Sequence, residues 1–124
     1  MFYLGEINNK KILKSTTLNN LEHCFTTRES VICSSENEIL QKIEQNKSEL
    51  CKYLKIDSKN LISPKQTHSA NIEIAQIGRN IYPDTDAMIL TNKEQAIFLN
   101  FADCTPIILF DKKQNPTTNQ RYKL

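Results

Sequence analysis

The chain has 124 residues, of which 39% are hydrophobic and 24% are charged, a composition typical of one soluble globular domain. Its formal net charge of +2 is too small to indicate binding to nucleic acid or to an anionic membrane surface, so neither partner is expected. Two glycines are too few for the glycine-rich loops that cradle phosphate groups. No apolar run approaches the roughly 20 residues that span a bilayer, and residues 1–14 lack the apolar segment of a secretory signal, so we expect a cytoplasmic protein.

The N-terminal half of the chain predicts short strands followed by one helix. Residues 2–12 are expected to form one or two edge strands, and the aromatic and β-branched residues of 21–28 predict a further strand. Ser35 and Glu38 have the spacing of a capping box. Apolar residues then recur at helical spacing, which predicts an amphipathic helix over residues 36–55. These apolar residues are Ile39, Leu40, Ile43, Leu50, Tyr53 and Leu54.

The C-terminal half predicts several short strands, at residues 61–63, 71–77, 87–90, 96–101 and 107–110. The last two runs are almost continuously apolar, which is typical of strands packed on both faces. Residues 111–115 predict a hairpin turn, but the polar residues 116–124 show no strand pattern to follow it. We therefore expect an α+β fold, with a mixed β-sheet core packed against the helix. Its sheet edge at residues 107–110 is expected to be unpaired and to allow self-association.

The four cysteines show no C-x-x-C pair, and a reducing compartment disfavours disulfides. We interpret Cys24, Cys33 and Cys51 as small apolar residues that are buried or half-buried.

Two polar clusters, residues 66–69 and residues 102–106, adjoin apolar strands and carry the candidate chemistry. His68 and Cys104 can form a thiolate–imidazole pair, in which Cys104 is the nucleophile of a hydrolase. They can equally be two ligands of a zinc ion. A third interpretation is a hydrogen-bonded histidine near a buried cysteine, in an α+β domain without catalytic function. The residues alone leave the three interpretations open.

Four segments together resemble one family: residues 23–28, 66–69, 86–91 and 102–109 occur in the order and spacing of the polyphenol oxidase, or laccase-domain, family. Its members are described as purine nucleoside phosphorylases, and the resemblance runs from about residue 21 to residue 115. It implies a single α+β domain that phosphorolyses adenosine, inosine, guanosine and methylthioadenosine and that deaminates adenosine. Copper-dependent oxidation of phenols is the activity that was attributed to this family earlier.

The resemblance implies that His68 and Cys104 are catalytic and are two of three metal ligands, for zinc or alternatively copper. A purine nucleoside and phosphate are the implied partners. Arg28 is a candidate phosphate contact because a guanidinium binds phosphate in bidentate fashion, and a surface ion pair is as plausible. Gln66 is a candidate contact for the base or ribose, or a solvated loop amide.

The remaining polar residues of the motifs are assigned supporting roles. His23 is expected to be structural, and Asp86 is expected to cap a loop or support a metal ligand. We expect Asp84 to be solvated. Asp103 is a candidate partner for a metal ligand or a nearby turn.

The family's third ligand is a histidine in a His-Ala-Gly-Trp-Arg-Gly motif, which is absent from this chain. Arg121 falls near its place and cannot ligate a metal, because the guanidinium stays protonated. We therefore expect residues 1–115 to be the N-terminal part of a laccase domain, incomplete relative to the family. Residues 116–124 are expected to be a divergent, disordered tail left by a truncation or frameshift. The chain itself is expected to be inactive.

Overall fold

An antiparallel hairpin opens the fold. The structure, a computed structural model, describes residues 1–27 and 36–111, together with the backbone of residues 122–123. Strands β1 (Phe2–Ile7) and β2 (Lys10–Ser15) pair in register from Phe2 opposite Ser15 to Ile7 opposite Lys10. Asn8 and Asn9 connect them with φ angles of 50° and 63°, the left-handed pair that a two-residue hairpin turn requires. The two predicted strands are thus confirmed, and the second one extends to Ser15. Only β1 is an edge strand, because β2 also pairs on its other side with residues 25–26.

The predicted strand over residues 21–28 is divided in two by a buried histidine. Strand β3 (Leu21–Glu22) and strand β4 (Phe25–Thr26) belong to different sheets, and β4 completes the sheet β1-β2-β4. Between them, His23 is only 3% exposed. Its Nε2 accepts a hydrogen bond from the backbone N–H of Ser15 at 2.8 Å, and its Nδ1 donates to the carbonyl of Leu21 at 2.8 Å. Both ring nitrogens are satisfied, which confirms the structural role expected for His23.

Helix α1 (Glu36–Leu54) confirms the predicted helix to within one residue at its end. It is buried only over its C-terminal half, where Leu50 packs with Ile7 and Ile12 of the hairpin. Ile39 and Leu40, which the apolar stripe predicts to be buried, are exposed. The described residues of the hairpin cover only the C-terminal half of the stripe. The predicted capping residue Ser35 lies outside the described residues.

Short parallel pairs form the rest of the fold. Strand β5 (Leu61–Ile62) pairs with β8 (Ala96–Ile97), and β6 (Ile72–Ile74) pairs with β7 (Ala87–Ile89). The backbone of β9 (Tyr122–Lys123) lies between β3 and β8, so the order of this sheet is β3-β9-β8-β5. With one α-helix and three small sheets among the described residues, one sheet antiparallel and two parallel, the expected α+β class is confirmed.

The core beside these parallel pairs is small. Ile62, Ala75 and Tyr82 are buried together, and Met88 and Leu90 pack against them. The opposite face of the β6–β7 sheet carries three exposed isoleucines, Ile72, Ile74 and Ile89. Because side chains alternate along a strand, burying Ala75 and Met88 on one face places these isoleucines on the other.

The prediction of a buried strand at residues 107–110 is wrong. No strand is present there, and Ile107 and Leu109 are 78% and 89% exposed. An apolar run becomes a buried strand only where a neighbouring strand and a covering layer accept it, and β8 is already flanked by β5 and β9. These residues therefore do not form the expected sheet edge. The side chains of Ile107 and Leu109 are nevertheless exposed.

Two further predictions concern the ends of elements and the tail. Strand β8 ends at Ile97, four residues before the predicted end. The hairpin turn at residues 111–115 lies almost wholly outside the described residues, as does the expected disordered tail at 116–124, apart from the β9 backbone.

Among the described residues, no helix combines the length and the apolar composition that crossing a membrane requires.

Candidate functional site

The segment that carries His68 is a loop built against a second segment of the chain. We call residues 65–71, which follow β5, the His68 loop. Its start is fixed to residues 82–85 by two backbone hydrogen bonds, from Lys65 to Tyr82 at 2.9 Å and from Thr85 to Lys65 at 3.0 Å. Its end is fixed where the carbonyl of Asn71 accepts from the backbone N–H groups of Asp86 and Ala87, each at 3.2 Å. The loop is therefore anchored at both ends to the residues that lead into β7.

The carboxylate of Asp86 holds the middle of the His68 loop. It accepts the backbone N–H groups of Thr67 at 3.0 Å, His68 at 2.9 Å and Ser69 at 2.9 Å, and also the Ser69 hydroxyl at 2.8 Å. These hydrogen bonds favour the ionised carboxylate and hold the pKa of Asp86 below its usual range, and the backbone N–H groups of Thr67 and Ser69 contribute most. The expectation that Asp86 caps a loop is confirmed.

Asp84 is exposed to solvent, as expected, and its side chain also bonds to the His68 loop. It adopts a φ of 50°, and one carboxylate oxygen is hydrogen-bonded to the hydroxyl of Thr67. The side-chain amide of Asn71 donates to its other carboxylate oxygen at 3.0 Å and to its backbone carbonyl at 2.8 Å. A short polar side chain stabilises the left-handed conformation at this position through such local bonds.

His68 itself lies at the exposed tip of the loop with a φ of 60°. This left-handed conformation is uncommon for a residue with a β-carbon, although histidine adopts it more often than most. The side chain is accessible to solvent, unlike that of His23. Of the two histidines, His68 is therefore the one that can meet a ligand or a metal.

The side chain of Gln66 joins the His68 loop to the segment that carries Cys104. Its Nε2 donates to the carbonyl of Asn100 at 2.9 Å, and its Oε1 accepts the backbone N–H of Asn100 at 2.8 Å. Cys104 lies four residues beyond Asn100, a chain span of at most about 14 Å. The structure thus places Gln66 of the first predicted segment against Asn100, two residues before the second segment, beyond the carboxyl ends of the neighbouring strands β5 and β8. Convergence of the imidazole and the thiol themselves stays a prediction.

The thiols differ in accessibility. Cys104 is exposed, whereas Cys24 is half-buried and Cys51 is buried, as predicted for those two. Burial raises the pKa of Cys24 to about 11. The charge of Lys14 lowers this pKa and the charge of Glu22 raises it, both by less than burial does. Burial also raises the pKa of Cys51. Of these three described thiols, Cys104 is therefore the one open to chemistry.

Several predicted positions lie outside the described residues, namely Arg28, Cys33 and Arg121. Asp103 is exposed beside Cys104, and its predicted support of a ligand stays a prediction. Gln66 is not a solvated amide, because its oxygen and one N–H are engaged by Asn100. A contact from its remaining N–H to substrate stays a prediction.

The described residues do not complete a metal site. Within residues 1–27 and 36–111, no three His, Cys, Asp or Glu side chains gather closely enough to hold an ion. His68 and Cys104 are donor types that suit zinc and copper, but a catalytic zinc site uses three protein ligands.

The sequence did not reveal the roles of two residues that support the site, Asn100 and Asp84. Asn100 takes part through its backbone, which no side-chain pattern signals. The Asp84-Thr85-Asp86 run carried a usable signal, because alternate aspartates ahead of a strand are common loop-forming residues.

The fold and the site together define an α+β domain with polar loops at the carboxyl ends of short parallel strands. The sequence profile of the multi-copper polyphenol oxidoreductase laccase family matches residues 22–118 of this chain. The match covers well over half of the chain, so the chain belongs to this family. No curated protein and no solved structure matches the chain significantly.

Proposed function

We propose that the chain carries part of a purine nucleoside phosphorylase domain, in which His68 and Cys104 are metal donors and zinc is the metal. Family membership supports the class of domain. The single structural observation that supports the site assignment is the junction between Gln66 and Asn100, which lies beyond the carboxyl ends of the parallel strands β5 and β8.

The proposed reaction class is the one that the family resemblance implies. In phosphorolysis, an oxygen of inorganic phosphate bonds to the anomeric carbon of the nucleoside, and the bond from that carbon to the purine nitrogen breaks. The enzyme has to hold the phosphate close to the sugar and stabilise the charge that develops on the leaving base. We assign phosphate binding to Arg28, whose guanidinium suits it, and contact with the base or ribose to the free N–H of Gln66. Adenosine deamination is proposed as a second activity of this site.

The chain alone is proposed to be inactive, because a catalytic zinc site uses three protein ligands and no three candidate donors gather within residues 1–27 and 36–111. Purified chain with inosine, phosphate and zinc should release no more hypoxanthine than a reaction without protein. Clear turnover that depends on phosphate and is lost in His68→Ala would show that the inactivity proposal is wrong and that the activity proposal is right.

Restoring a third donor tests the assignment of the first two. Arg121 stands near the place of the family's third ligand, so Arg121→His should raise zinc affinity by about tenfold or more. Gln120→His is the matched control, since it adds the same imidazole one position away. The gain should vanish when His68→Ala or Cys104→Ala is combined with Arg121→His. Equal affinities in Arg121→His and Gln120→His would count against the three-ligand assignment.

A second candidate function is a Cys104 hydrolase without metal, which the exposure of this thiol favours. It predicts that a thiol-reactive probe labels Cys104 selectively near neutral pH and that zinc does not protect it. Protection of Cys104 by zinc favours the metal-donor role instead. The family's description as polyphenol oxidoreductases supports a third assay, phenol oxidation in the presence of copper.

A further inference from the structure

Three consecutive backbone N–H groups in the His68 loop point at one anion. Asp86 Oδ1 accepts from Thr67 and Ser69, and Oδ2 accepts from His68. Successive N–H groups that converge in this way form a nest, a concave backbone arrangement that binds anions such as phosphate. Here a carboxylate of the same chain occupies the nest.

The position of that carboxylate is itself fixed by the fold. The backbone N–H of Asp86 is bonded to Asn71, and the next residue begins strand β7. The preceding residue, Thr85, is buried, with its N–H bonded to Lys65 and its hydroxyl donating to Pro83 at 2.9 Å. Strand β7 and the buried threonine therefore hold Asp86 in place, and Asp86 in turn holds the loop.

The loop conformation that Asp86 holds is one that His68 disfavours by itself. A residue with a β-carbon seldom adopts a φ of 60°, and it keeps that angle only where its surroundings impose it. Without the carboxylate, the three N–H groups would turn towards water, and the backbone of His68 would be free to return to a negative φ. The imidazole would then leave its present direction.

We propose that Asp86 is the positioning residue of His68: its carboxylate fills the backbone nest of residues 67–69 and thereby fixes where the imidazole is presented. This inference rests on the proposed role of His68 as a functional side chain. The negative charge of Asp86 is essential to it, because a neutral amide of the same shape places an N–H donor against N–H donors.

The first test measures the loop directly by NMR. Asp86→Asn should shift the amide resonances of residues 67–69 and speed hydrogen exchange of the His68 amide about tenfold. Asp84→Asn is the matched control, since it also removes a negative charge that bonds to the His68 loop, but it removes no acceptor of those amides. Unchanged exchange at His68 in Asp86→Asn, or an equal change in Asp84→Asn, would overturn the proposal.

Chemical rescue keeps the test informative if Asp86→Asn does not fold. Asp86→Ala empties the nest, and formate is a carboxylate small enough to occupy it. Added formate, but not the same concentration of chloride, should return the amide resonances of residues 67–69 towards their original positions. A failure of formate to act differently from chloride would contradict the idea that the nest requires a carboxylate.

The second test asks whether Asp86 acts through His68. With cobalt as the probe, Asp86→Asn and His68→Ala should each weaken binding about ten- to a hundredfold. In the double variant the two losses should not add, because both remove the same imidazole. Additive losses would show a general structural role and overturn the proposal. If His68→Ala leaves cobalt binding unchanged, the proposed function of His68 fails, while the NMR result still decides whether Asp86 fixes the loop.

Discussion

Replacing Gln66 by methionine should loosen the junction between the two site segments. Methionine keeps the length of the side chain but removes both hydrogen bonds to the backbone of Asn100. A neutral hydrogen bond contributes a net of about 0.5–1.5 kcal/mol, and water can reach this pair, so the two together should contribute about 1–2 kcal/mol. This corresponds to a roughly 5- to 30-fold increase in the opening equilibrium that exposes the Asn100 amide. Hydrogen exchange at Asn100, followed by NMR, measures the increase directly.

The same substitution on the helix surface is the control for Gln66→Met. Gln45 makes a single long contact of 3.5 Å with Glu49, so Gln45→Met should change the free energy of unfolding by less than about 0.5 kcal/mol. Amide hydrogen exchange in β6 and β7 should be the same in both variants, because no residue of these strands takes part in the hydrogen bonds that are removed. An Asn100 amide that exchanges equally fast with and without the Gln66 amide would refute the view that this side chain joins the two segments.

Three further outcomes test the core and the surface. Burial raises the pKa of Cys24 from 9.0 to about 11. The protonated thiol therefore stabilises the folded state below pH 9, and this stabilisation is lost as the pH rises through about 11. Urea titrations should show that the native chain loses about 2–3 kcal/mol over that range relative to Cys24→Ala. Ile62→Ala removes a fully buried side chain and should lower the free energy of unfolding by about 2–5 kcal/mol in the same assay. Ile72→Thr and Ile89→Thr change the exposed sheet face, so they should reduce binding of a hydrophobic dye while altering stability by less than about 0.5 kcal/mol.

Local patterns predicted the helix well and the strands poorly, for a physical reason. The signal for α1 is repeated over 19 residues, and a helix satisfies its own backbone groups. A strand ends where its neighbour ends, so the apolar run at residues 96–101 forms only two residues of β8, and the run at 107–110 forms none. The buried histidine that divides β3 from β4 depends on a hydrogen bond from Ser15 in another strand.

The candidate site shows the same division between local and non-local information. The residue types of His68, Cys104 and Asp86 were available from the sequence because each lies within a motif of its family. The role of Asp84 depends on Thr67 and Asn71, which lie 17 and 13 residues away. The partner of Gln66 is a backbone group 34 residues away, and only the pairing of β5 with β8 brings it within reach.

The Gln66 amide has a second consequence, because it continues the ladder of a very short strand pair. Strands β5 and β8 are two residues each, and the backbone bond from Phe98 to Ile62 at 2.8 Å extends their pairing. The side-chain amide then imitates a further strand residue, since it both donates to and accepts from the backbone of Asn100. A one-residue slip of β8 against β5 would break both contacts at once. Strand register and the placement of Asn100 beside the His68 loop are therefore one structural property, and a variant that disturbs the first should disturb the second.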